Sequence, residues 1–322
     1  MDEDQTLCSS SWMGDLSDDV RSAPLCLLSI PGSHNSFTYS LERSSHAGPD
    51  QPGFVKSLIK GFPGTSSKVL YKWSVTQAKN VTEQLELGVR YFDIRLQCIE
   101  GEFRILHCLL GMKIAEILPE IKAFITENPS EVVILDFQHL YDFQDEDHEN
   151  LVKLILEEFE NLLCSWQQDI LQITLCGLQG DNTRIIVIYP VAYYKKNEEL
   201  RNRLTTPVLY KLWPRKLFPN PWPDTAKANR LATFLSEKFE AKKPDEFFIS
   251  QGILTPNWKT IIFHPLEDLR SVCVKACNST VLQWLDEMKE MNKRPNIVMV
   301  DYVGTEFSCD VVNTIIKFNH SV

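Results

Sequence analysis

Four polar side chains interrupt apolar runs at points where strands are predicted to end: His34, Arg95, His107 and Asp301. Two imidazoles can act as general base and general acid near neutral pH, and a buried carboxylate can fix the tautomer of one of them. A guanidinium can neutralise the charge that builds up on a phosphorane-like transition state. The set predicts attack of a neighbouring hydroxyl on a phosphodiester, giving a cyclic phosphate and a free alcohol. Inositol phospholipids carry such a hydroxyl beside the phosphate.

Each of the four residues also has a structural interpretation when it is taken alone. A single histidine after a strand is more often a hydrogen-bonded structural residue than a catalyst. Arg95 could form an ion pair with Asp93, two residues earlier on the same strand face, and Asp301 could cap a helix near Ser308. The combination of the four favours a catalytic site. The other five histidines, His139 among them, are interpreted as structural.

Short apolar runs rich in β-branched and aromatic residues predict the strands that must position these side chains. The runs are Leu25–Ile30, Val89–Leu96, Phe103–Cys108, Val132–Phe137, Arg184–Tyr189, Glu246–Leu254 and Asn296–Val300. Helical periodicity occupies most of the intervals. The helical segments are Lys113–Ile125, Asp145–Leu163, Leu231–Phe239, Val281–Met288 and Ser308–Ile316. This alternation predicts an α/β fold with a mainly parallel sheet, interpreted as a (β/α) barrel whose eighth strand is not visible.

Two segments depart from the alternation of strands and helices. Ser40–Lys72 contains Gly, Pro and Ser clusters and predicts a long loop with a helix. Tyr193–Trp222 is rich in Lys and Arg and ends in a Trp/Pro-rich stretch. One interpretation makes it a membrane-contact loop, because basic and aromatic side chains favour an anionic lipid surface. The alternative is a surface loop that packs its aromatic residues on the barrel.

Composition limits the class of protein. The 322 residues are 43% hydrophobic and 24% charged, which is typical of a globular chain and not of a disordered one. We expect an N-terminal extension of residues 1–24 and one barrel domain, residues 25–318. The formal net charge of -10 argues against nucleic acid as a partner, whereas peripheral contact with a membrane stays open.

The location of the protein is predicted from its N-terminus and its cysteines. The first residues are acidic and lack the pattern of a secretion signal, and no apolar stretch reaches membrane-spanning length. The nine cysteines include no CxxC pair, and several lie inside apolar runs, such as Cys26, Cys98 and Cys273. They are interpreted as mostly buried free thiols of a reducing compartment. A cytoplasmic protein is therefore expected.

Five segments, in order along the chain, resemble the X domain of phosphatidylinositol-specific phospholipase C. They are Ser29–Ser36 (SIPGSHNS), Gly88–Arg95 (GVRYFDIR), Ile105–His107, Ser130–Phe137 and Met299–Asp301. The resemblance covers the chain from about Leu25 to Phe318 and leaves no room for the additional domains of the large signalling enzymes. The chain is most similar to the small group of PI-PLC X domain-containing proteins. This resemblance implies an irregular, incompletely closed (β/α)8 TIM-type barrel.

By position, the resemblance implies a role for each of the four residues. His34 would be the general base, Asp301 the carboxylate that orients it, and His107 the general acid. Arg95 would clamp the phosphate. The implied activity is cleavage of phosphatidylinositol, or a close relative, to a cyclic inositol phosphate and diacylglycerol.

The resemblance also bears on substrate contacts and on metal. Asn35, Asp93 and Gln138 are predicted to contact the substrate. Calcium-dependent members of the family use the Asn at the position of Asn35 as a metal ligand and place acids where this chain has Arg95 and Gln138. Calcium binds several oxygen ligands, so we expect no cofactor and no calcium requirement, with Arg95 in place of the cation. Bacterial relatives usually carry Asp at position 35, and they offer basic groups where the fifth strand here ends in Tyr189 and a proline.

Two other functions compete with catalysis of this kind. The barrel could be a non-catalytic module that binds inositol lipids, an alternative that Asn35 favours and the retention of the four catalytic residues opposes. A glycerophosphodiester-type phosphodiesterase is the other, but that class needs carboxylate metal ligands beside its histidines. No such cluster lies near His34 in the sequence.

Overall fold

A computed structural model describes residues 9–45, 48–51, 63–190, 210–264, 266–305 and 308–320, without the side chains of 9, 63–67, 258, 262 and 309. The described chain forms one nine-stranded sheet. The strands are β1 (Ile30–Ser33), β2 (Tyr91–Ile99), β3 (Glu102–His107), β4 (Leu109–Lys113), β5 (Val133–Tyr141), β6 (Ile185–Tyr189), β7 (Leu212–Pro214), β8 (Ile249–Gly252) and β9 (Ile297–Val300).

The main path of the sheet runs β7-β6-β5-β2-β1-β9-β8, and every neighbouring pair on it is parallel. Among the described residues its two end strands, β7 and β8, do not pair with each other. The sheet is therefore curled but incompletely closed, and the predicted α/β class and open barrel are confirmed. Parallel strands buried on both faces need continuous apolar sequence, and all five residues of β6 are buried.

Helices fill the connections between these strands. They are α1 (Asp18–Arg21), α2 (Pro63–Ser74), α3 (Val81–Glu86), α4 (Ile114–Glu127), α5 (Asp145–Phe159), α6 (Leu175–Gly180), α7 (Ala228–Ala241), α8 (Trp258–Phe263), α9 (Lys275–Glu290) and α10 (Cys309–Lys317). In α4 the buried residues follow helical spacing and form one apolar face toward the core. No helix in the described ranges is long and apolar enough to cross a bilayer.

The first described residues pack against the amino-terminal ends of the strands. Trp12, Met13 and Leu16 are buried in the same core as the barrel. Glu131 accepts the backbone N–H groups of Met13 and Gly14, each at 3.1 Å, and its other oxygen accepts Arg90 Nε at 2.8 Å. This buried ion pair ties the segment that precedes residue 25 to the sheet. The domain boundary at residue 25 stays a prediction.

The structure corrects the first predicted strand. Leu25–Leu27 is a 3-10 helix, and the strand begins only at Ile30 and includes Pro31 and Gly32, which lie beyond the predicted run Leu25–Ile30. Gly32 is required there because a Cβ would lie 2.8 Å from the Cδ1 of Tyr91 on the neighbouring strand. The small residue lets β1 and β2 approach each other closely.

The second correction concerns the strand that ends at His107. β3 is antiparallel to β2 and is not a strand of the barrel path. The two are joined by Glu100 and Gly101, both with positive φ (52° and 80°), which is the conformation of a tight hairpin turn. The return strand of this hairpin, β3, ends at His107.

The two departures from the alternation are described in part. α2 confirms the helix predicted within Ser40–Lys72, while residues 46–47 and 52–62 lie outside the described residues. Of Tyr193–Trp222, residues 193–209 also lie outside them. In the described remainder, Trp213 and Phe218 are buried in the core. These two aromatic side chains therefore pack on the barrel and do not face a membrane.

Among the described residues, the cysteines form no disulfide. Cys26 and Cys273 are buried, and Cys98 is half-buried. The prediction of mostly buried free thiols agrees with these positions.

Candidate active site

His34 and Asp301 meet because their strands are neighbours in the sheet. β1 and β9 run parallel in register, and the His34 amide continues the ladder by donating to the carbonyl of Val300 at 3.1 Å. The His34 Nδ1 then lies 2.7 Å from Asp301 Oδ1. A carboxylate accepts, so Nδ1 carries the proton and Nε2 presents its lone pair to the cavity. The predicted pair is brought together.

Two buried polar residues that the sequence did not single out fix the loop carrying His34. The Gln77 amide donates to the backbone carbonyls of His34 at 3.0 Å and Val300 at 2.9 Å, so it ties the two strand ends together. Thr76 Oγ1 donates to the same His34 carbonyl at 3.0 Å. Both residues follow α2, in a segment without a motif, so no sequence signal identified them.

Asn35 sits beside the histidine in a left-handed conformation, with φ 42°. Its N–H donates to Asp93 Oδ2 at 3.0 Å, and its side-chain amide donates to His34 Nε2 at 3.1 Å. Asp93 is buried. Burial opposes ionisation of this carboxyl, but Arg95, His34 and the Asn35 amide together hold its pKa below the ordinary value. A carboxylate therefore lies under the site.

Arg95 projects into the same space from β2, where the register with β5 shifts between Ile94 and Arg95. Its Nη2 lies 3.2 Å from Gln138 Oε1 and 3.4 Å from Asp93 Oδ2. The guanidinium therefore donates to two acceptors, Gln138 and Asp93. Its remaining N–H groups can hold the oxygens of a phosphate. The predicted neighbours Asn35, Asp93 and Gln138 all surround this guanidinium and His34.

His107 faces His34 from the end of the hairpin. The two ring centroids are 6.4 Å apart, with an interplanar angle of 71°. His107 Nδ1 lies 2.6 Å from the Ser74 carbonyl, so it donates and Nε2 is the nitrogen available to a substrate. Burial and the nearby Arg95 lower the pKa of His107 from its ordinary value. The two histidines predicted from the sequence thus face one cavity.

A second arginine, Arg215, lines the same cavity. The sequence identified it only as part of the basic segment Tyr193–Trp222. Arg215 follows β7 and forms an ion pair with the buried Asp136 of β5. Tyr91 donates to the other oxygen of Asp136 at 2.5 Å. Burial raises the pKa of Asp136 to about 6, against the opposing effect of Arg215. Neither member of this pair was among the predicted site residues.

These side chains line a cavity of about 580 Å³. His139, which was interpreted as structural, is among the polar residues of the lining. The apolar part of the lining includes Leu70, Trp73, Ile253, Leu254, Ile261 and Leu269. The cavity can therefore take a ligand with a polar head and an apolar continuation.

Within the described part of the chain, no group of three or more His, Cys, Asp or Glu side chains is arranged to hold a metal ion. The carboxylate of Asp93 accepts the backbone N–H of Asn35 and lies 3.4 Å from Nη2 of Arg95. A guanidinium therefore occupies the side of this carboxylate that faces the cavity.

Fold and site together place the chain among the phospholipase C-like α/β barrels. A scan against models of protein families finds no match. PI-PLC X domain-containing protein 3 of Homo sapiens is 34% identical over 320 residues, covering 97% of this chain and 94% of the relative. PI-PLC X domain-containing protein 2 of Mus musculus is 34% identical over 318 residues, covering 97% and 88%. The chain belongs to the family of PI-PLC X domain-containing proteins, and the resemblance predicted from its five segments is confirmed.

The fold is also similar to that of solved phospholipase C structures. Phosphatidylinositol-specific phospholipase C from Listeria monocytogenes superposes with a TM-score of 0.63 and 16% sequence identity, covering 97% of this chain and 99% of the other. At this identity the comparison supports the architecture of the barrel.

Proposed function

We propose that this chain is a phosphodiesterase of phospholipase C type that cleaves phosphatidylinositol-like lipids. One observation carries the proposal. His34 Nε2, left unprotonated because Nδ1 donates to Asp301, faces the same cavity as the Arg95 guanidinium and the His107 ring, whose centroid is 6.4 Å from that of His34. Base, acid and anion clamp therefore surround one volume, as transfer of a phosphoryl group to a neighbouring hydroxyl requires.

The proposed reaction balances with these residues alone. His34 Nε2 takes the proton of the hydroxyl beside the phosphate, and that oxygen forms the new bond to phosphorus. Arg95 holds the non-bridging oxygens as negative charge builds up on them. The bond from phosphorus to the glycerol oxygen breaks, and His107 Nε2 gives its proton to that oxygen. The products are a cyclic inositol phosphate and diacylglycerol.

The ion pair of Arg215 and Asp136 is proposed to read the head group. Asp136 is buried and balances the charge of Arg215, which lines the cavity, so the N–H groups of Arg215 can donate to the hydroxyls of a polyol. The apolar residues of the cavity lining are proposed to contact the glycerol and the start of the acyl chains, because these are the apolar parts of such a lipid.

We place the proposed membrane contact on a rim surface formed by Trp222, Phe263 and Leu266. Their exposed fractions are 55%, 76% and 85%. Ile261 and Leu269, which flank Phe263 and Leu266 in sequence, line the cavity. Apolar side chains at the mouth of a lipid-binding cavity would bury their area in the bilayer interface. Trp222 is the last residue of Tyr193–Trp222, the segment predicted to contact a membrane, of which residues 193–209 lie outside the described residues.

A turnover assay on phosphatidylinositol vesicles tests the proposal. We expect His34→Ala and His107→Ala each to lower the rate by about two to four orders of magnitude, the usual contribution of a positioned acid or base. The double variant should be little slower than either single one, because the two residues act in one step. His320→Ala, at an exposed histidine, is the matched control. Vesicle binding without turnover by the unaltered chain would instead support the non-catalytic lipid-binding module.

A further inference from the structure

Most groups around His107, the proposed general acid, favour the neutral form of its imidazole. Burial and the Arg95 guanidinium lower its pKa, and His34 acts in the same direction when it is charged. The Ser74 carbonyl, which accepts from Nδ1, acts in the opposite direction. A general acid must carry a proton when the leaving oxygen departs. His107 therefore needs a neighbouring group that favours its protonated form.

The segment of residues 48–51 wraps the backbone next to His107. Asp50 Oδ2 accepts the N–H of Cys108 at 2.7 Å. The carbonyl of Cys108 accepts the Gly48 amide at 2.9 Å and the Gln51 side chain at 3.0 Å. Both polar backbone groups of the residue after His107 are thus held by this segment, which places the Asp50 carboxylate beside the end of the hairpin.

The second oxygen of this carboxylate has no hydrogen-bond donor among the described residues. Asp50 Oδ1 is buried although the residue as a whole is half-buried. An unpaired buried carboxylate oxygen is costly, and its charge acts strongly on its surroundings. Asp50 does favour the charged form of His107. After burial, Asp50 also contributes to raising the pKa of the Cys108 thiol, to about 12, and that of Tyr141.

We propose that Asp50 is a positioning residue for His107: its carboxylate, anchored on the amide of Cys108, the residue after His107, holds a negative charge near the imidazole and favours its protonated form. Asp50 is not among the residues that line the cavity, so it acts through His107 and not on the substrate. The catalytic meaning of this role rests on the proposed function. The electrostatic effect of Asp50 on His107 is independent of that function.

Asp50→Asn separates this role from a purely structural one. The asparagine oxygen can still accept the Cys108 N–H, but the negative charge is gone. The measurement is a pH titration of the His107 ring by NMR, with the signal assigned from its loss in His107→Gln. Loss of a neighbouring opposite charge should lower the pKa of His107 by about one unit. Asp286→Asn, which removes the same charge from an exposed position on α9, should leave it unchanged.

The same change has a kinetic signature. With a lower pKa, His107 loses its proton earlier, so the alkaline limb of kcat/KM should move to lower pH by the same amount. A structural defect would instead lower the rate by one factor at every pH and leave the limb in place. If the asparagine variant does not fold, Asp50→Ser offers a smaller acceptor with the same loss of charge.

An unchanged His107 titration in the folded variant overturns the proposal, whatever the activity. A lowered pKa in a chain that shows no turnover on phosphatidylinositol supports the link between Asp50 and His107 and contradicts the proposed function instead. The two failures are therefore told apart by one set of samples.

Discussion

Arg95 Nη2 lies 3.4 Å from the Nε2 of His34. The Asn35 amide donates to the same nitrogen at 3.1 Å. A guanidinium has only donors, so this nitrogen must be the unprotonated one, and the ring proton must sit on Nδ1 against Asp301. The groups around His34 therefore agree on one tautomer, and it is the tautomer that a general base needs.

Arg95→Lys should impair turnover severely although it keeps the charge. A lysine ammonium cannot rest on Gln138 and Asp93 and hold two phosphate oxygens in one plane. Loss of such a transition-state donor usually costs about two to three orders of magnitude in kcat. The measurement is kcat and KM on phosphatidylinositol vesicles. Arg104→Lys, at a hairpin arginine paired with Glu42, is the matched control and should stay near normal.

The same assay tests the expected independence from calcium. The resemblance puts Arg95 and Gln138 where calcium-dependent members of the family place acids, whereas calcium takes about six to eight oxygens with several carboxylates among them. Excess EGTA should leave turnover intact. Turnover that disappears in EGTA and returns with calcium would mean that Arg95 is not the substitute for a cation.

Asp301→Asn should keep the fold and lose about three to four orders of magnitude in kcat. The amide can donate to Nδ1 of His34, which moves the ring proton to Nε2 and removes the base. The tautomer can be read from the nitrogen chemical shifts of His34, beside a thermal unfolding curve. Asp310→Asn, on the exposed side of α10, is the control. Unchanged kinetics would make Asp301 a structural residue.

The meeting of His34 with Asp301 could be predicted because it depends on little more than strand order. Polar residues at the carboxyl ends of parallel strands share one edge of a sheet, so small errors in the strand bounds do not separate them. The first strand was placed several residues too early, and yet the pair is formed as expected.

The positions of His107 and Arg215 in the site could not be predicted from strand order. The direction of β3 depends on the turn at Glu100 and Gly101, and glutamate is not a residue that favours positive φ. The ion pair of Arg215 with Asp136 joins residues 79 positions apart and requires β7 to lie beside β6. From the sequence alone, Arg215 is one of several cations in a basic segment.

Removing the charge of Glu131 should destabilise the whole chain. Glu131→Gln leaves the fully buried Arg90 without its counter-charge, and breaking a buried pair costs about 3–5 kcal/mol. The free energy of unfolding in urea measures the loss. Glu240→Gln, in the exposed pair with Lys293, should cost less than about 1 kcal/mol. Similar losses for the two variants would contradict the importance of the buried pair.

Phe263 and Leu266 should contribute to vesicle binding. The double change of both residues to serine removes two exposed apolar side chains, each worth about 1.5–3 kcal/mol if fully buried in the interface. Sedimentation with phosphatidylinositol vesicles should show binding at least about tenfold weaker. Met291→Ser, at another exposed apolar residue, is the control. Binding that does not weaken would exclude this rim surface as the membrane contact.

Arg215→Lys should change which head group is cleaved more than it changes the chemistry. The lysine keeps the charge beside Asp136 but loses the planar array of donors that would hold adjacent hydroxyls of a polyol. The informative quantity is the ratio of kcat/KM on phosphatidylinositol to that on phosphatidylglycerol, whose head group has a hydroxyl beside the phosphate ester but no ring. This ratio should fall by about tenfold or more, since an unmatched hydrogen-bonding site discriminates strongly. Arg104→Lys again serves as the control. A ratio that stays constant while both rates fall together would assign Arg215 to the stability of Asp136 and not to recognition of the head group.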